Sequence, residues 1–382
     1  MSHFHLRCSE CERTTEPSGC DGLCAVCHGV QLVEYHQDGE SGDSGLLDTW
    51  RCRPAGMWRF REWMPLAESE TPVSLGEGDT PLVPLPRTGG RLGLSLMLKD
   101  EAGNPTGSFK DRGMSAAISR AVHDGVEEFV IPSAGNAGVA LSAYAARAGV
   151  GATVFLPADT PQAVTGRCAL YGSRLHRVEG LISDCGRAAA DYASRTGAFD
   201  LSTLREPYRI EGKKTMGLEI LEALGWRAPD AIVYPTGGGT GLIGSWKAVT
   251  EVEARGWLQG PPPRMYAVQA EGCAPIVRAF GSGATRAPFW GEARTRAWGL
   301  RVPSPRGDAI ILQILRRSSG GVIAVTDEAM EAALRALPIE DGVQVGIEGG
   351  AVLAGIEALR ERGDLRAGER VVGFNTGNLA NY

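Results

Sequence analysis

Lys110 is the residue whose type and position suggest chemistry most directly. It ends a segment rich in turn-forming residues, 103–109, which follows the strand-like run Leu94–Leu98. Apolar residues at helical spacing begin at Met114, so the pattern predicts that Lys110 stands at the start of a helix. The positive end of a helix disfavours an ammonium and lowers its pKa. A neutral amine attacks carbonyl carbons, including the aldehyde of pyridoxal phosphate, so Lys110 is a candidate for binding that cofactor covalently; the alternative is a solvated surface lysine.

A glycine-rich loop after an apolar strand is the second candidate. Residues Ala231–Tyr234 are apolar, and a helical pattern that continues to Ala254 follows the loop. This is the arrangement in which backbone N–H groups hold a phosphate. One alternative is a tight turn that binds nothing. Another is a dinucleotide site at residues 239–244, but that pattern lacks the acidic residue expected at the end of a second strand about twenty residues later. The candidate phosphate-binding residues are Gly237, Gly238, Gly239, Thr240 and Gly241.

A third turn joins the strand-like run Phe129–Pro132 to a helical pattern. Its small residues leave N–H groups exposed at a helix start, where a carboxylate could bind. The Asn136 side chain could donate a hydrogen bond to a phenolate oxygen. A plain strand-to-helix turn explains the same residues. The candidate carboxylate-binding residues are Ser133, Ala134, Gly135 and Ala137.

The first 45 residues differ in composition from the rest. Cys8-x-x-Cys11 and Cys24-x-x-Cys27 are two knuckles of the spacing that suits a tetrahedral zinc, with Cys20, His5 and His28 as further donors. The alternative is a ribbon that no longer holds metal. Residues 37–45 are polar and rich in glycine, aspartate and serine, which predicts a linker.

Strand-like and helical segments alternate through the rest of the chain, which predicts an α/β fold with parallel sheets covered on both faces. Thr160-Pro161 and Thr326-Asp327-Glu328 read as helix starts. The candidate strands are Leu94–Leu98, Phe129–Pro132, Ala152–Leu156, Arg174–Val178, Ala231–Tyr234, Met265–Gln269 and Val371–Phe374.

Taken together and in this order, the three segments resemble the fold-type II pyridoxal-phosphate enzymes, the family of the tryptophan synthase β chain. Within these, the chain is similar to the threonine synthases. The entry motif Gly76–Leu82, the segment Glu206–Thr215 and the sequence Asn375-Thr376-Gly377 carry the resemblance further, so that it extends from Cys8 to Asn378.

The resemblance implies a fold and roles for the candidate residues. The expected architecture is two open parallel-sheet domains with the cofactor in the cleft between them, and a small zinc-ribbon-like head. The domains would be a head at 1–45, a large domain at 46–112 and 214–382, and an inserted domain at 113–213. Lys110 would bind the cofactor and then act as base at Cα. The glycine loop would hold the phosphate and Asn136 the 3′ oxygen. Thr376 would meet the pyridine nitrogen.

The implied reaction is that of a lyase converting O-phosphohomoserine and water to threonine and phosphate, with Arg112 and Arg209 as candidates to bind the leaving group. The segment Thr376-Gly377-Asn378, near Tyr382, instead resembles the serine/threonine dehydratases. The alternative is therefore β-elimination or β-replacement on serine, threonine, phosphoserine or a related amino acid. Two further classes of protein remain as alternatives: a zinc-ribbon interaction protein with a catalytically inactive enzyme fold, and a nicotinamide oxidoreductase. The intact Lys110 and glycine loop argue against a loss of catalytic activity.

Composition limits the partners. The 382 residues carry a net charge of −6 without a long basic run, which argues against nucleic acid as the main partner. No apolar run approaches the roughly 20 residues of a membrane helix, and the N-terminus has no apolar signal core. Nine cysteines without a secretion signal predict a reducing, cytoplasmic location. The resemblance suggests a homodimer acting on a small amino-acid substrate.

Overall fold

The computed structural model describes residues 3–18, 21–36 and 45–381. In this part of the chain strands and helices alternate, as an α/β fold requires. The strands are β1 (Phe4–Cys8), β2 (Thr14–Thr15), β3 (Gln31–Tyr35), β4 (Leu82–Pro84), β5 (Ser95–Asp100), β6 (Glu128–Pro132), β7 (Gly151–Pro157), β8 (Arg174–Val178), β9 (Phe199–Asp200), β10 (Ala231–Pro235), β11 (Arg264–Ala270), β12 (Gly321–Val325) and β13 (Arg370–Asn375).

The α-helices are α1 (Gly45–Cys52), α2 (Pro86–Leu92), α3 (Lys110–His123), α4 (Asn136–Ala148), α5 (Gln162–Leu170), α6 (Ile182–Thr196), α7 (Tyr208–Ala223), α8 (Thr240–Ala254), α9 (Pro275–Gly281), α10 (Asp308–Arg317), α11 (Asp327–Asp341) and α12 (Ile347–Glu361). Short 3-10 helices lie at Met57–Trp63, Glu101–Gly103, Trp298–Leu300 and Leu379–Asn381.

The chain divides into two compact units. The first comprises the described residues up to Asp79 together with Asn104–Thr215, and the second comprises Thr80–Gly103 together with Met216–Ala380. These boundaries differ from those expected from the resemblance, because Lys110 lies in the unit that also contains residues 113–213. The three-domain division stays a prediction.

The first unit contains two sheets. A parallel sheet has the order β8-β7-β6-β9, and an antiparallel sheet in the head has the order β2-β1-β3. The central strand β7 is almost wholly buried, whereas the edge strand β8 exposes its arginines. Buried apolar residues of the head, among them Phe4, Leu6 and Val33, belong to the same core cluster as residues of α3 and α4. The head therefore shares one hydrophobic core with the rest of this unit.

The second unit is built on a six-stranded sheet with the order β12-β11-β10-β13-β5-β4. All its strand pairs are parallel except β4 with β5 at one edge. Strand β10 is buried at every residue, as expected for a central strand covered on both faces. Because β10 and β13 are parallel neighbours, the loops after their carboxyl ends lie at the same edge of the sheet, where ligands bind in open α/β folds.

The structure confirms the α/β class, the seven candidate strands and the helix start at Thr326. Helix α5 begins one residue later than Thr160-Pro161 predicts, with Pro161 as its N-cap. Thr326 caps α11 by accepting a hydrogen bond from the Ala329 N–H at 3.1 Å. The linker predicted at residues 37–45 lies outside the described residues except for Gly45. Six strands of the structure were not among the candidates: β1, β2, β3, β4, β9 and β12. Among the described residues, no helix combines the length and apolar character needed to cross a membrane.

Candidate active site

Lys110 is the first residue of α3, as its sequence context predicts. Its backbone N–H lies 3.4 Å from the Ser108 hydroxyl, and its side chain is half-buried. The Lys110 Nζ lies over the ring of Phe109, 4.5 Å from the centroid. The amine is therefore held against an aromatic face at a helix N-terminus, a position that suits a nucleophilic lysine.

The loop before Lys110 is tied to the helix that follows it. Asp111 accepts hydrogen bonds from the Thr106 N–H at 2.6 Å and from the Thr106 hydroxyl. A β-turn closes between Asn104 and Gly107, with an N–H to oxygen distance of 2.7 Å. Burial, with a smaller contribution from the Glu77 charge, raises the pKa of Asp111 to about 7 although Thr106 opposes the shift. Asp111, which the sequence analysis did not single out, thus fixes the conformation of the lysine loop.

Glu77 is a second residue that the sequence analysis left without a role. Its carboxylate is buried and accepts hydrogen bonds from Tyr144 OH at 2.6 Å and from Trp58 Nε1 at 3.0 Å. It also accepts from the Leu75 N–H at 2.9 Å. The next residue, Gly78, donates its N–H to Asn104 Oδ1 at 3.1 Å, so the entry motif supports the start of the lysine loop.

Helices α3 and α7 meet backbone to backbone close to Lys110. A Cβ atom added to Gly212 of α7 would lie 1.9 Å from the Arg112 carbonyl oxygen. A Cβ added to Gly113 of α3 would lie 3.0 Å from both the Arg209 carbonyl oxygen and the Lys213 Cε. Only glycine fits at position 212, and a larger residue at position 113 would require its neighbours to shift. These two positions therefore set the distance between the helices that carry Lys110 and Lys213.

Arg112 and Arg209, the arginines suggested for an anionic leaving group, are both buried in the first unit. Arg112 donates to Thr215 Oγ1 at 2.9 Å, and Arg209 donates to the Leu201 carbonyl oxygen at 2.6 Å. These bonds engage both guanidiniums in the interior, so we do not assign either arginine to the leaving group.

The Ser133–Ala137 turn follows β6, and α4 begins at Asn136. The Ser133 hydroxyl accepts hydrogen bonds from the Gly138 N–H at 2.9 Å and the Gly135 N–H at 3.3 Å. It thus fixes the turn, while residues 134–137 are half-buried. The N–H groups of the first helical turn have no acceptor within their own helix and are suited to bind an anion.

The glycine loop in the second unit connects β10 to α8, as predicted. Gly239 has a positive φ of 72°, which favours glycine. A Cβ on Gly237 would lie 2.1 Å from the Gly299 carbonyl oxygen, and one on Gly241 would lie 1.8 Å from Tyr234 OH. Side chains are excluded at these positions, and the first N–H groups of α8 remain available to a phosphate.

Thr376 directly follows β13 and is buried. The preceding residue, Asn375, donates from Nδ2 to Asp100 Oδ1 at 2.7 Å and accepts from the Gly346 N–H at 3.1 Å. Asn375 therefore fixes the strand end that presents Thr376, on the same sheet edge as the glycine loop.

The four predicted metal ligands of the head come together. The sulfur atoms of Cys8, Cys11, Cys24 and Cys27 all lie within 4.8 Å of one another. Backbone N–H groups of Cys27 and Val26 lower the pKa of the Cys24 thiol to about 6, which favours the thiolate that a metal requires. His5 instead contacts Glu34 at 3.2 Å, and Cys20 lies outside the described residues.

The head is attached to α7 through hydrogen bonds. Tyr208, the first residue of α7, donates from its hydroxyl to Asp21 Oδ2 at 2.5 Å. Tyr35 of β3 donates from its hydroxyl to Glu211 Oε2 at 2.9 Å, and Lys214 Nζ lies 2.8 Å from the same oxygen. The metal-binding loops are thereby connected to the helix that packs on α3.

Comparisons with known proteins agree with this geometry. The family model described as "Pyridoxal-phosphate dependent enzyme" matches residues 73–377. The chain is 33% identical over 376 residues to the threonine synthase of Methanocaldococcus jannaschii, covering 97% of this chain and 91% of the relative. It is 33% identical over 326 residues to that of Mycobacterium leprae, covering 85% and 88%. Maize serine racemase shares the fold, with a TM-score of 0.70 at 23% identity and coverage of 79% and 88%.

Proposed function

This chain belongs to the family of pyridoxal-phosphate dependent enzymes, and we propose that it is a threonine synthase, the lyase that converts O-phosphohomoserine and water to threonine and phosphate. The observation that carries the proposal is the 33% identity to a threonine synthase over 97% of the chain.

The residues present fit the cofactor. A primary amine stands at a helix start, and a glycine loop with no space for side chains opens another helix. The first group suits an aldehyde and the second suits a phosphate. We propose that Lys110 holds the cofactor covalently, that residues 237–241 bind its phosphate and that Asn136 donates to its 3′ oxygen.

When bound, pyridoxal phosphate withdraws electrons from the substrate and makes its carbon-bound protons acidic. Lys110, once freed by the substrate amine, would be the base that takes the proton from Cα. The N–H groups at the start of α4, with Ser133, Ala134, Gly135 and Ala137, would bind the substrate carboxylate. A second proton would leave Cβ before phosphate departs from Cγ. A proton would then be added at Cγ, which becomes the methyl carbon of threonine, water would add at Cβ, and a proton would return to Cα.

We assign the contact with the pyridine nitrogen to Thr376. A neutral hydroxyl cannot keep that nitrogen protonated as a carboxylate would, which suits elimination better than transamination. This choice agrees with a lyase but does not distinguish elimination at the β carbon from elimination at the γ carbon.

One observation favours a second candidate. The segment Thr376-Gly377-Asn378 resembles the serine/threonine dehydratases, and a threonine deaminase of known structure shares the fold at 26% identity with a TM-score of 0.66. The second candidate is therefore β-elimination or β-replacement on serine, threonine or phosphoserine.

A panel of amino acids separates the two. Purified enzyme loaded with pyridoxal phosphate is offered O-phosphohomoserine, phosphoserine, serine and threonine, and phosphate, oxoacid and threonine are measured. Phosphate and threonine from O-phosphohomoserine support the proposal. An enzyme that ignores this substrate and forms oxoacid from the others is of the second kind.

The position of the cofactor is tested separately. Borohydride reduction followed by peptide mapping should label Lys110, and Lys110→Ala should lose the visible absorbance of the bound cofactor. A label on another lysine would contradict the whole site assignment.

We further propose one structural zinc in the head, a homodimer and a cytoplasmic location. Four thiolates fill a tetrahedral zinc site and leave no open position for catalysis, so the metal would stabilise the fold. Light scattering on the purified protein measures the oligomeric state, and metal analysis measures the zinc.

A further inference from the structure

Lysine is rare in this chain, and every lysine lies in a defined environment. Of the 39 lysine and arginine residues, five are lysines, so the surface cations are arginines. Lys99, Lys214 and Lys247 each pair with a glutamate. The other two, Lys110 and Lys213, share one aromatic ring.

Lys213 lies on α7, and its side chain is fully buried. Its Nζ is 5.2 Å from the centroid of the Phe109 ring, over which Lys110 Nζ lies at 4.5 Å. The stem of Lys213 passes along Gly113, close enough that a Cβ there would lie 3.0 Å from Lys213 Cε. The close packing of α3 on α7 therefore brings a second amine to the aromatic ring that Lys110 contacts.

The charges around Lys213 disfavour its ammonium form. Burial is the largest cause, and the positive charges of Arg209 and Lys110 add to it, while Glu206 opposes them. Together they lower the pKa of Lys213 well below its ordinary value. A positive charge on Lys110 disfavours a positive charge on Lys213, so the protonation of the two amines is coupled.

We propose that Lys213 is the proton acceptor for Lys110: it takes a proton from the Lys110 ammonium and returns Lys110 to the free amine within one turnover. The exchange converts Lys110 ammonium and Lys213 amine into Lys110 amine and Lys213 ammonium, so protons and charge balance. The proposal rests on the proposed function: if Lys110 takes the proton from Cα and then the proton from Cβ, it must be returned to the free amine between the two steps.

Arginine could not serve in this role. Its guanidinium stays protonated in proteins, whereas a buried lysine changes its protonation state readily. Most cations of this chain are arginines, but the buried position 213 holds a lysine. A residue that must release and accept a proton has to be lysine rather than arginine.

Three variants and a direct measurement test the proposal. In Lys213→Met and Lys213→Gln the acceptor is absent, and in Lys213→Arg the charge is kept but cannot be lost. With the cofactor absorbance unchanged, all three should lower kcat by about 100-fold, the scale of one lost acid–base group, with little change in KM. Lys247→Met, the same replacement at a partly buried lysine of α8, should keep the wild-type kcat.

Isotope exchange gives a readout that does not depend on which product forms. With a substrate deuterated at Cα in ordinary water, the wild type should lose deuterium to solvent through Lys213. The variants should return more of it to Cα, because the Lys110 ammonium keeps the label. If the wild type rejects O-phosphohomoserine, the proposed function fails, and the same exchange measured on the amino acid that it accepts still tests Lys213.

The protonation state itself is measured on the wild type, so the test survives a variant that fails to fold. With [15N]lysine, the five side-chain nitrogens give five NMR signals, and Lys213→Arg assigns one of them. We expect the Lys213 nitrogen to titrate well below the ordinary lysine range in apo and loaded protein. An ammonium at position 213 that persists to high pH, full activity of Lys213→Arg, or unchanged isotope exchange in Lys213→Met would each overturn the proposal.

Discussion

The contact between α3 and α7 makes a sharp prediction for Gly212→Ala. The added methyl would lie 1.9 Å from the Arg112 carbonyl oxygen and 2.5 Å from its carbon. Both belong to backbone, so no rotamer change relieves the overlap and the helices must separate by about 1 Å or more. Overpacking of a core costs about 1–3 kcal/mol, and a backbone clash belongs at the upper end. Alanine recovers about 0.5–1 kcal/mol of helix propensity. The expected net loss is therefore about 2 kcal/mol.

The matched control is Gly186→Ala in α6, where an added Cβ meets nothing within 4 Å. This change should leave the free energy of unfolding unchanged or raise it by up to about 1 kcal/mol. Urea unfolding followed by circular dichroism measures both variants. Because α3 carries Lys110, Gly212→Ala should also alter the spectrum of the bound cofactor, whereas Gly186→Ala should not. Equal stability of the two variants would refute the interpretation that the helix contact needs glycine.

Three further predictions concern Asp111, the cysteine cluster of the head and the Lys99–Glu219 ion pair. Burial raises the pKa of Asp111 to about 7, so between about pH 4 and 7 the folded state keeps a proton that the unfolded chain releases. The contribution of this group to the free energy of unfolding is therefore greatest at low pH and falls as the pH rises. In urea titrations, Asp111→Asn should remove this pH dependence, which amounts to up to about 4 kcal/mol. Cys11→Ser should lose the metal measured by elemental analysis while keeping the cofactor spectrum, and Cys52→Ser, at an exposed cysteine outside the cluster, should keep both. Lys99→Met should destabilise the second unit by about 3–5 kcal/mol because it leaves the Glu219 carboxylate buried without its partner at 2.6 Å, and adding Glu219→Met should restore most of that loss.

The parts of the fold that the sequence predicts are those encoded locally. Strand β10 is a buried apolar run bounded by a glycine loop, so both its type and its ends are visible in the pattern. Strand β1 was missed because it alternates apolar and polar residues over only five positions, and the cysteine spacing dominated the interpretation of that segment. Strand β12, also five residues long, was missed although it is largely apolar.

The residues of the candidate site likewise fall into those that the local sequence indicates and those that only the structure reveals. Lys110, the glycine loop and the cysteine knuckles each occupy a short segment with a recognisable composition. The residues that support these segments are not marked by local composition. Glu77 meets Tyr144 and Trp58, and Lys213 meets Phe109, only because distant elements pack together. A carboxylate or an amine in an otherwise ordinary helix or loop gives no sequence signal of burial, so these residues were found only in the structure.

The shared core of the head has a consequence for how the chain is made. The four cysteines lie within 20 residues of one another, so a metal can close the knuckles soon after they leave the ribosome. Their apolar neighbours Phe4, Leu6 and Val33 pack in a cluster that also includes Tyr208, which follows Tyr35 by 173 residues. At ordinary rates of synthesis Tyr208 emerges roughly 10–35 s later. Until then the apolar residues of the head lack this part of their core, and they need protection from aggregation during that interval.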